Sequence, residues 1–289
     1  MNRPVPLPVC LTAETPEMLG GLTPLAELVE GSPSLSLLST CTSEAVRVQV
    51  NAGNVFQLFE PDTTEPIASY KIKGNIAKQV TALLEHLAAF RNFAALQAPD
   101  NGLRGVIKVR FGKLIRAADR RRPPQYEGLV PDEAHGEVAL KSGENLTIAI
   151  TNPTDRPLYV YLVALNGMQR SASRLYPYSE TSTRLKPAES MVIGGGPDYL
   201  ITMGLPPGCR SGLDLMKVFL SHSAIDLDVL SMPEFGSGYR LPSDQFGTGS
   251  RLDLDLRCCL SAQPLPPGTQ LSETDLWTLV EQPVRIRVN

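Results

Sequence analysis

Histidine is the scarcest reactive side chain in this sequence: His86, His135 and His222 are the three among 289 residues, beside five cysteines and a single tryptophan. So few general bases and metal ligands leave little material for nucleophilic or zinc chemistry. An excess of either charge sign is also missing. The 27 basic and 30 acidic residues give a formal net charge of −3, so nothing draws the chain onto phosphate backbones or anionic lipid. No apolar run approaches the ~20 residues that a membrane helix requires. Residues 1–10 place prolines where a secretory signal has its apolar centre. The expectation is a cytoplasmic protein with no nucleic-acid partner, no membrane partner and no cofactor. Cys10, Cys41, Cys209, Cys258 and Cys259 are odd in number and share no repeated spacing. They read as reduced thiols rather than a disulfide framework.

What the sequence does have is proline, at 25 residues, with 23 glycines and 42% hydrophobic residues. That balance supplies real cores while shortening helices and favouring turns and strands. Residues 15–31 carry helix signals, with Pro16 at a first helical position and Gly31 past the end. Residues 35–38 follow as an apolar run. Val46, Val48 and Val50 alternate with polar partners, and residues 55–59 return as the second strand of a hairpin. Residues 67–72 suggest one more short strand. From Asn75 to about Gln97 the period becomes helical, with Ile76, Val80, Leu83, Leu87, Phe90 and Ala94 on one stripe.

Beyond Gly102 the pattern is almost purely β. Residues 106–111 alternate, as do Leu146, Ile148 and Ile150, while the unbroken apolar run 158–165 suits a central strand. Asn166-Gly167 is a hairpin turn signal. Further strands are expected at 190–193, 199–203, 213–220 and 284–288, punctuated by turns such as Pro206-Pro207-Gly208 and Pro266-Pro267-Gly268. The fold expected is α+β: a small α/β unit over 1–74, a linking helix over 75–98, and an antiparallel Ig-like β-sandwich over 103–289. Residues 117–134, which contain Arg120-Arg121-Arg122, and residues 233–249 are long for plain connections and fit no element.

Candidate chemistry is thin. Cys209, inside Pro207-Gly208-Cys209-Arg210-Ser211-Gly212, resembles the cysteine segment of caspase-like peptidases, but His222 follows it inside Ser221-His222-Ser223 instead of preceding it. No nucleophile–base pair is expected there. His86 on the long helix reads as a satisfied or exposed helix residue, and His135 beside Glu133 and Glu137 as a loop residue. Vicinal Cys258 and Cys259 suit burial as small apolar groups. Gly194-Gly195-Gly196 leads to another strand and not to a helix, so it reads as a flexible turn and not as a phosphate loop. Tyr159, Tyr161, Tyr176, Tyr178 and Tyr199 read more naturally as core and strand-edge residues than as a ligand-binding aromatic face.

The order of segments resembles the non-catalytic C-terminal region of caspase-domain (peptidase C14-like, metacaspase-like) proteins. The resemblance lies in helix residues 82–100, in Gly143-Glu144-Asn145-Leu146 with Thr151-Asn152-Pro153-Thr154, and in Arg174-Leu175-Tyr176-Pro177. It continues through residues 185–190, 205–208 and 215–219 to Asp275-Leu276-Trp277-Thr278 before the last strand. The family's catalytic histidine and cysteine segments have no counterpart. A bacterial domain of unknown function that accompanies peptidases and kinases shares some of these features. The resemblance implies a non-catalytic interaction or regulatory module whose partner is a caspase-like protease domain, in cis or in trans. Arginine-directed cleavage is common among metacaspase-like relatives. That makes Arg116, Arg120, Arg121 and Arg122 the candidate protease-cleavage or docking loop. The alternative is a sandwich that binds a ligand or peptide and has no connection with proteolysis.

Overall fold

In the computed structural model, helix α2 (Ile76–Ala95) joins two sheet systems by giving each half of its length to a different core. The structure describes residues 4–15, 22–51, 53, 55–61, 63–71, 76–179, 183–197, 199–237, 251–261 and 275–288. The expected helix start at Pro16, the turn positions Ala52 and Asn54, the 266–268 turn and residues 238–249 lie outside them.

The first half of α2 covers an N-terminal sheet. Its strands are β1 (Leu7–Ala13), β2 (Leu35–Leu38), β3 (Val46–Val50), β4 (Val55–Phe59) and β5 (Ala68–Lys71), in the order β2-β1-β3-β4-β5. β1 runs parallel to β2 and β3, and β3, β4 and β5 are antiparallel. Helix α1 (Thr23–Gly31) makes the β1-to-β2 crossover, with Pro24 in its first turn. Val46, Val48 and Val50 face the helices, together with Leu25, Val29, Val80 and Leu84. The alternation seen in the sequence thus becomes one buried face.

The reading of all five cysteines as reduced thiols does not hold. Cys10 on β1 and Cys41 in the β2–β3 connection form a disulfide, their Cα atoms 5.2 Å apart. β1 lies between β2 and β3, so the chain leaving β2 must cross β1, which returns Cys41 to Cys10. A separation of 31 residues carries no trace of that crossing.

The second half of α2 covers a larger sheet. That sheet contains β8 (Val138–Lys141), β10 (Leu158–Asn166), β11 (Ser171–Tyr176), β12 (Thr183–Leu185), β15 (Ser211–Ser221) and β16 (Trp277–Arg287). Its order is β11-β10-β15-β16-β8, with β12 continuing beside β10. A further sheet, with β6 (Lys108–Arg116), β7 (Gln125–Gly128), β9 (Asn145–Thr151), β13 (Ser190–Ile193) and β14 (Ile201–Thr202), has the order β13-β9-β6-β7 with β14 beside β9. These two sheets enclose one core of Leu146, Ile148, Ile150, Val160, Leu162 and Val218. β10 is buried on both faces: Leu158, Val160 and Leu162 point to that core, Tyr161, Val163 and Leu165 to the helical side. An unbroken apolar run is what such a strand requires. The arrangement is not wholly antiparallel, because β8 pairs parallel with β16. A parallel neighbour cannot be reached by a hairpin, and β8 is entered from the other sheet through residues 129–137.

The sequence pattern also missed helix α3 (Arg251–Ser261), which packs Leu252, Leu256, Cys259 and Leu260 beside α2. The α+β class therefore holds, with sheets in two systems and a helical layer between the N-terminal sheet and the large one.

Between α2 and the large sheet lies Lys217 of β15, fully buried. Its Nζ donates to the Leu96 carbonyl just past the end of α2 at 3.0 Å and to Glu281 Oε1 on β16. The ammonium thus meets one carbonyl at the helix C-terminus, where unpaired carbonyls carry partial negative charge. Burial holds the Lys217 pKa below its ordinary value, and Glu281 offsets only part of that shift. Replacing Lys217 by Ala is expected to cost about 3–5 kcal/mol, since Glu281 and the helix end lose their buried cation and a cavity opens. Lys217→Met, which refills the volume, is expected to cost less by 1 kcal/mol or more, an estimate on the order of one core cavity. Urea unfolding of the two variants checks the ranking.

Candidate functional site

The four arginines of the candidate loop stand at one hairpin. Arg116 ends β6, and the chain turns through residues 117–124 into β7, which pairs back on β6. The segment that fits no element in the sequence is therefore a strand preceded by a tight turn. Asp119 and Arg122 exchange main-chain hydrogen bonds of 3.0 and 3.4 Å, and the Asp119 carboxylate accepts from the Arg121 amide at 2.7 Å. Local Asp chemistry of this kind closes turns without tertiary help. Arg116, Arg120, Arg121 and Arg122 are all exposed. The base of the loop is anchored: the Ala118 amide donates to the Gly195 carbonyl at 2.8 Å. Pro124 lies so close to Gly195 that a Cβ there would approach it to 2.9 Å. The glycine run is a turn, as expected, and its tightness has a reason. Gly194 adopts φ +76°, and a Cβ on it would meet the Leu146 carbonyl at 2.4 Å.

Cys209 and His222 are not brought together. Cys209 precedes β15 and His222 follows it, so eleven extended residues hold them on the order of 30 Å apart. His86 is buried in α2, its Nε2 2.7 Å from the Arg170 carbonyl, and burial lowers its pKa. Arg170 in turn forms a paired ion contact with Glu60, at 2.6 and 2.9 Å, which ties the N-terminal sheet to the β10–β11 turn. His135 is exposed beside Asp132. Among the described residues no group of three or more His, Cys, Asp or Glu side chains is placed to share a metal ion. Cys258 and Cys259 are buried, and desolvation pushes their thiols up to about 11 and about 12. The tyrosines do not form one face. Tyr161 is in the core, its hydroxyl accepting from the Ile225 amide; Tyr159 lies against Arg184; Tyr178 packs between Tyr176 and Tyr199, with ring centroids 4.9 and 3.7 Å away.

A site the sequence did not mark lies where the two facing sheets separate at one end. Asn166 and Ala164 of β10, Ser171 and Ser173 of β11, Thr202 of β14 and Asp214 of β15 border a cleft of about 210 Å³. Asp214 pairs in register with Asn166, and its side chain points between the sheets as do Met216 and Val218. It is 9% exposed, and among the described residues its carboxyl has no hydrogen-bond or ion-pair partner. Desolvation raises its pKa from 3.8 to about 6. In sequence, Asp214 is one acidic residue among the polar positions of Ser211-Gly212-Leu213-Asp214-Leu215. Only the pairing register shows that it faces inward.

No family model matches the chain, and no curated protein matches it. Among solved structures the chain is similar to the E. coli chaperone DraB at 16% identity and a TM-score of 0.26, covering 53% of this chain and 51% of that one. The chain thus spans about half the length of that structure.

The buried carboxyl has a consequence for stability. Its folded pKa of about 6 lies above the unfolded value of 3.8, so the native state holds this proton more tightly. That contribution is complete below pH 3.8 and is lost as pH rises through about 6. Asp214→Asn should therefore stabilise the fold at pH 7.5 by about 2–3 kcal/mol and change it little at pH 4. Urea unfolding of both proteins at the two pH values measures the difference.

Proposed function

We propose that this chain is a non-catalytic interaction module of a caspase-like cysteine protease, which it meets in cis or in trans through the arginine hairpin. In this reading the two facing sheets are an Ig-like β-sandwich that serves as the platform. The observation that carries the proposal is the hairpin itself, with three consecutive arginines and Arg116 exposed on a turn anchored at its base by Gly195. Exposed arginines on a fixed turn suit a partner with an acidic recognition pocket, because the guanidinium pairs with carboxylates in fixed geometry. The order of sequence segments, which resembles the C-terminal region of caspase-domain proteins, selects an arginine-directed protease as that partner.

Mass spectrometry after co-incubation with a purified arginine-directed caspase-like protease tests the proposal. Cleavage between Arg116 and Pro123 is expected, and it should be lost in a variant carrying Arg120→Gln, Arg121→Gln and Arg122→Gln. An intact loop overturns the substrate version. Equal capture of the protease by wild type and triple variant overturns the docking version. The triple variant should change unfolding stability by less than about 0.5 kcal/mol, because all three side chains are exposed.

A further inference from the structure

We infer that the cleft between the two facing sheets binds a primary ammonium group on a short aliphatic chain, with Asp214 as its counter-ion. This site is separate from the arginine hairpin and does not depend on the function proposed for it.

The inference starts from a polar group that the fold leaves unmatched. Buried carboxylates are ordinarily paired or heavily hydrogen-bonded, because moving the charge out of water is expensive. Asp214 is buried, and among the described residues it has neither kind of partner. Its side chain lines an open cleft instead of apolar core. The surrounding polar groups narrow the ligand. Ser171 and Ser173 offer hydroxyls, and among the described residues no Lys, Arg or His side chain borders the cleft. An anion would meet only a carboxylate and neutral groups. An ammonium donates three hydrogen bonds, one to Asp214 and the others to hydroxyl oxygens. Ala164, Leu175, Ile201 and Met216 give the cleft apolar walls suited to methylenes. A volume of about 210 Å³ is below that of drug-sized pockets. That suits a chain of a few carbons inside the cleft.

Asp214 is the sole titratable group bordering the cleft among the described residues. From β10, β11 and β14 the facing polar groups are Asn166, Ser171, Ser173 and Thr202, all neutral. At the rim, Gln169 is engaged by Glu234 at 2.7 Å. Binding should therefore follow ionisation of Asp214 alone, since an alkylammonium keeps its charge throughout the range.

The test is a titration of the full chain followed by amide NMR shifts, with n-butylamine, Nα-acetyl-lysine methylamide and 1-butanol as probes. Saturable shifts at Ser171 and Ser173 are expected with n-butylamine and not with 1-butanol. Affinity should be about tenfold weaker at pH 5 than at pH 8, given a carboxyl that titrates at about 6. Asp214→Asn should reduce it at least tenfold while the variant stays folded. Shifts with the lysine derivative as well extend the site to lysyl side chains, and shifts with n-butylamine alone confine it to small alkylamines. Absence of saturable shifts with either amine overturns the inference. So do equal binding of the alcohol, unchanged binding by Asp214→Asn, or a flat profile between pH 5 and pH 8.

Discussion

The ammonium of Lys217 is sealed from water, and the partners that hold it come from distant parts of the chain. The Leu96 carbonyl belongs to the end of α2, and Glu281 to β16. A buried cation without partners is intolerable in a low-dielectric interior, so helix and strand are fixed relative to β15 by the need to keep it satisfied. Around it the apolar packing is dense: Phe93 stacks on Phe219 at 6.1 Å, and Trp277 lies 6.2 Å from Phe219. Trp277 donates its indole N–H to Asp255 of α3 at 2.8 Å. The charge sets the position of the helical layer, and the aromatic groups supply most of the buried area.

The same helix carries the attachment of the N-terminal sheet. Val80, Leu84 and Leu87 are buried against β1, β3 and α1, while Ala89 and Phe93 are buried against the large sheet. A single rigid rod of 20 residues thus enters two cores in succession. Arg170 and Glu60 close the joint from the side. The hydrogen bond and charge of Arg170 hold the Glu60 carboxyl below its usual range against the opposing effect of burial. The pair therefore stabilises the joint above the usual carboxylate range, and its contribution is lost as pH falls through the lowered value. His86 joins the same corner through the Arg170 carbonyl, with Phe235 packed edge-on at 5.6 Å. The histidine that offered no chemistry in the sequence is a structural bond between two halves of the molecule.

How much of this was legible in the sequence depends on whether the signal was local. The valines of β3, the double-sided apolar run of β10 and the long helix all announce themselves through periodicity. Helix α3 does not. In Arg251-Leu252-Asp253-Leu254-Asp255-Leu256 the leucines alternate as in a strand. Only the longer spacing of Leu252, Leu256, Cys259 and Leu260 carries the helical stripe. The Cys10–Cys41 bond and the β8–β16 pair depend on which strands become neighbours, and topology of that kind leaves no mark at either residue. Lys217 and Asp214 belong with them: each is a polar residue in an apolar strand, and alternation shows which share a face but not which face is buried.

The arginine turn and the Asp214 cleft lie toward the same end of the facing sheets, and the register says why. Lys113 near the end of β6 pairs with Leu146, which pairs with Ile201 of β14 on its other side. On the opposite sheet Asp214 pairs with Asn166, where β10 turns into β11. The arginine turn, anchored across to Gly195, and the Asp214 cleft therefore arise from the same ends of neighbouring strands. Strand ends are where facing sheets diverge and where loops carry side chains that packing does not dictate. The basic tip stands in water with its charges solvated, whereas the acidic cleft holds a carboxyl that water only partly reaches. Charge on the tip can change with little effect on the fold, and charge in the cleft cannot. A cation bound there in the folded state alone would therefore raise the stability of the protein, because it would offset the cost of ionising Asp214.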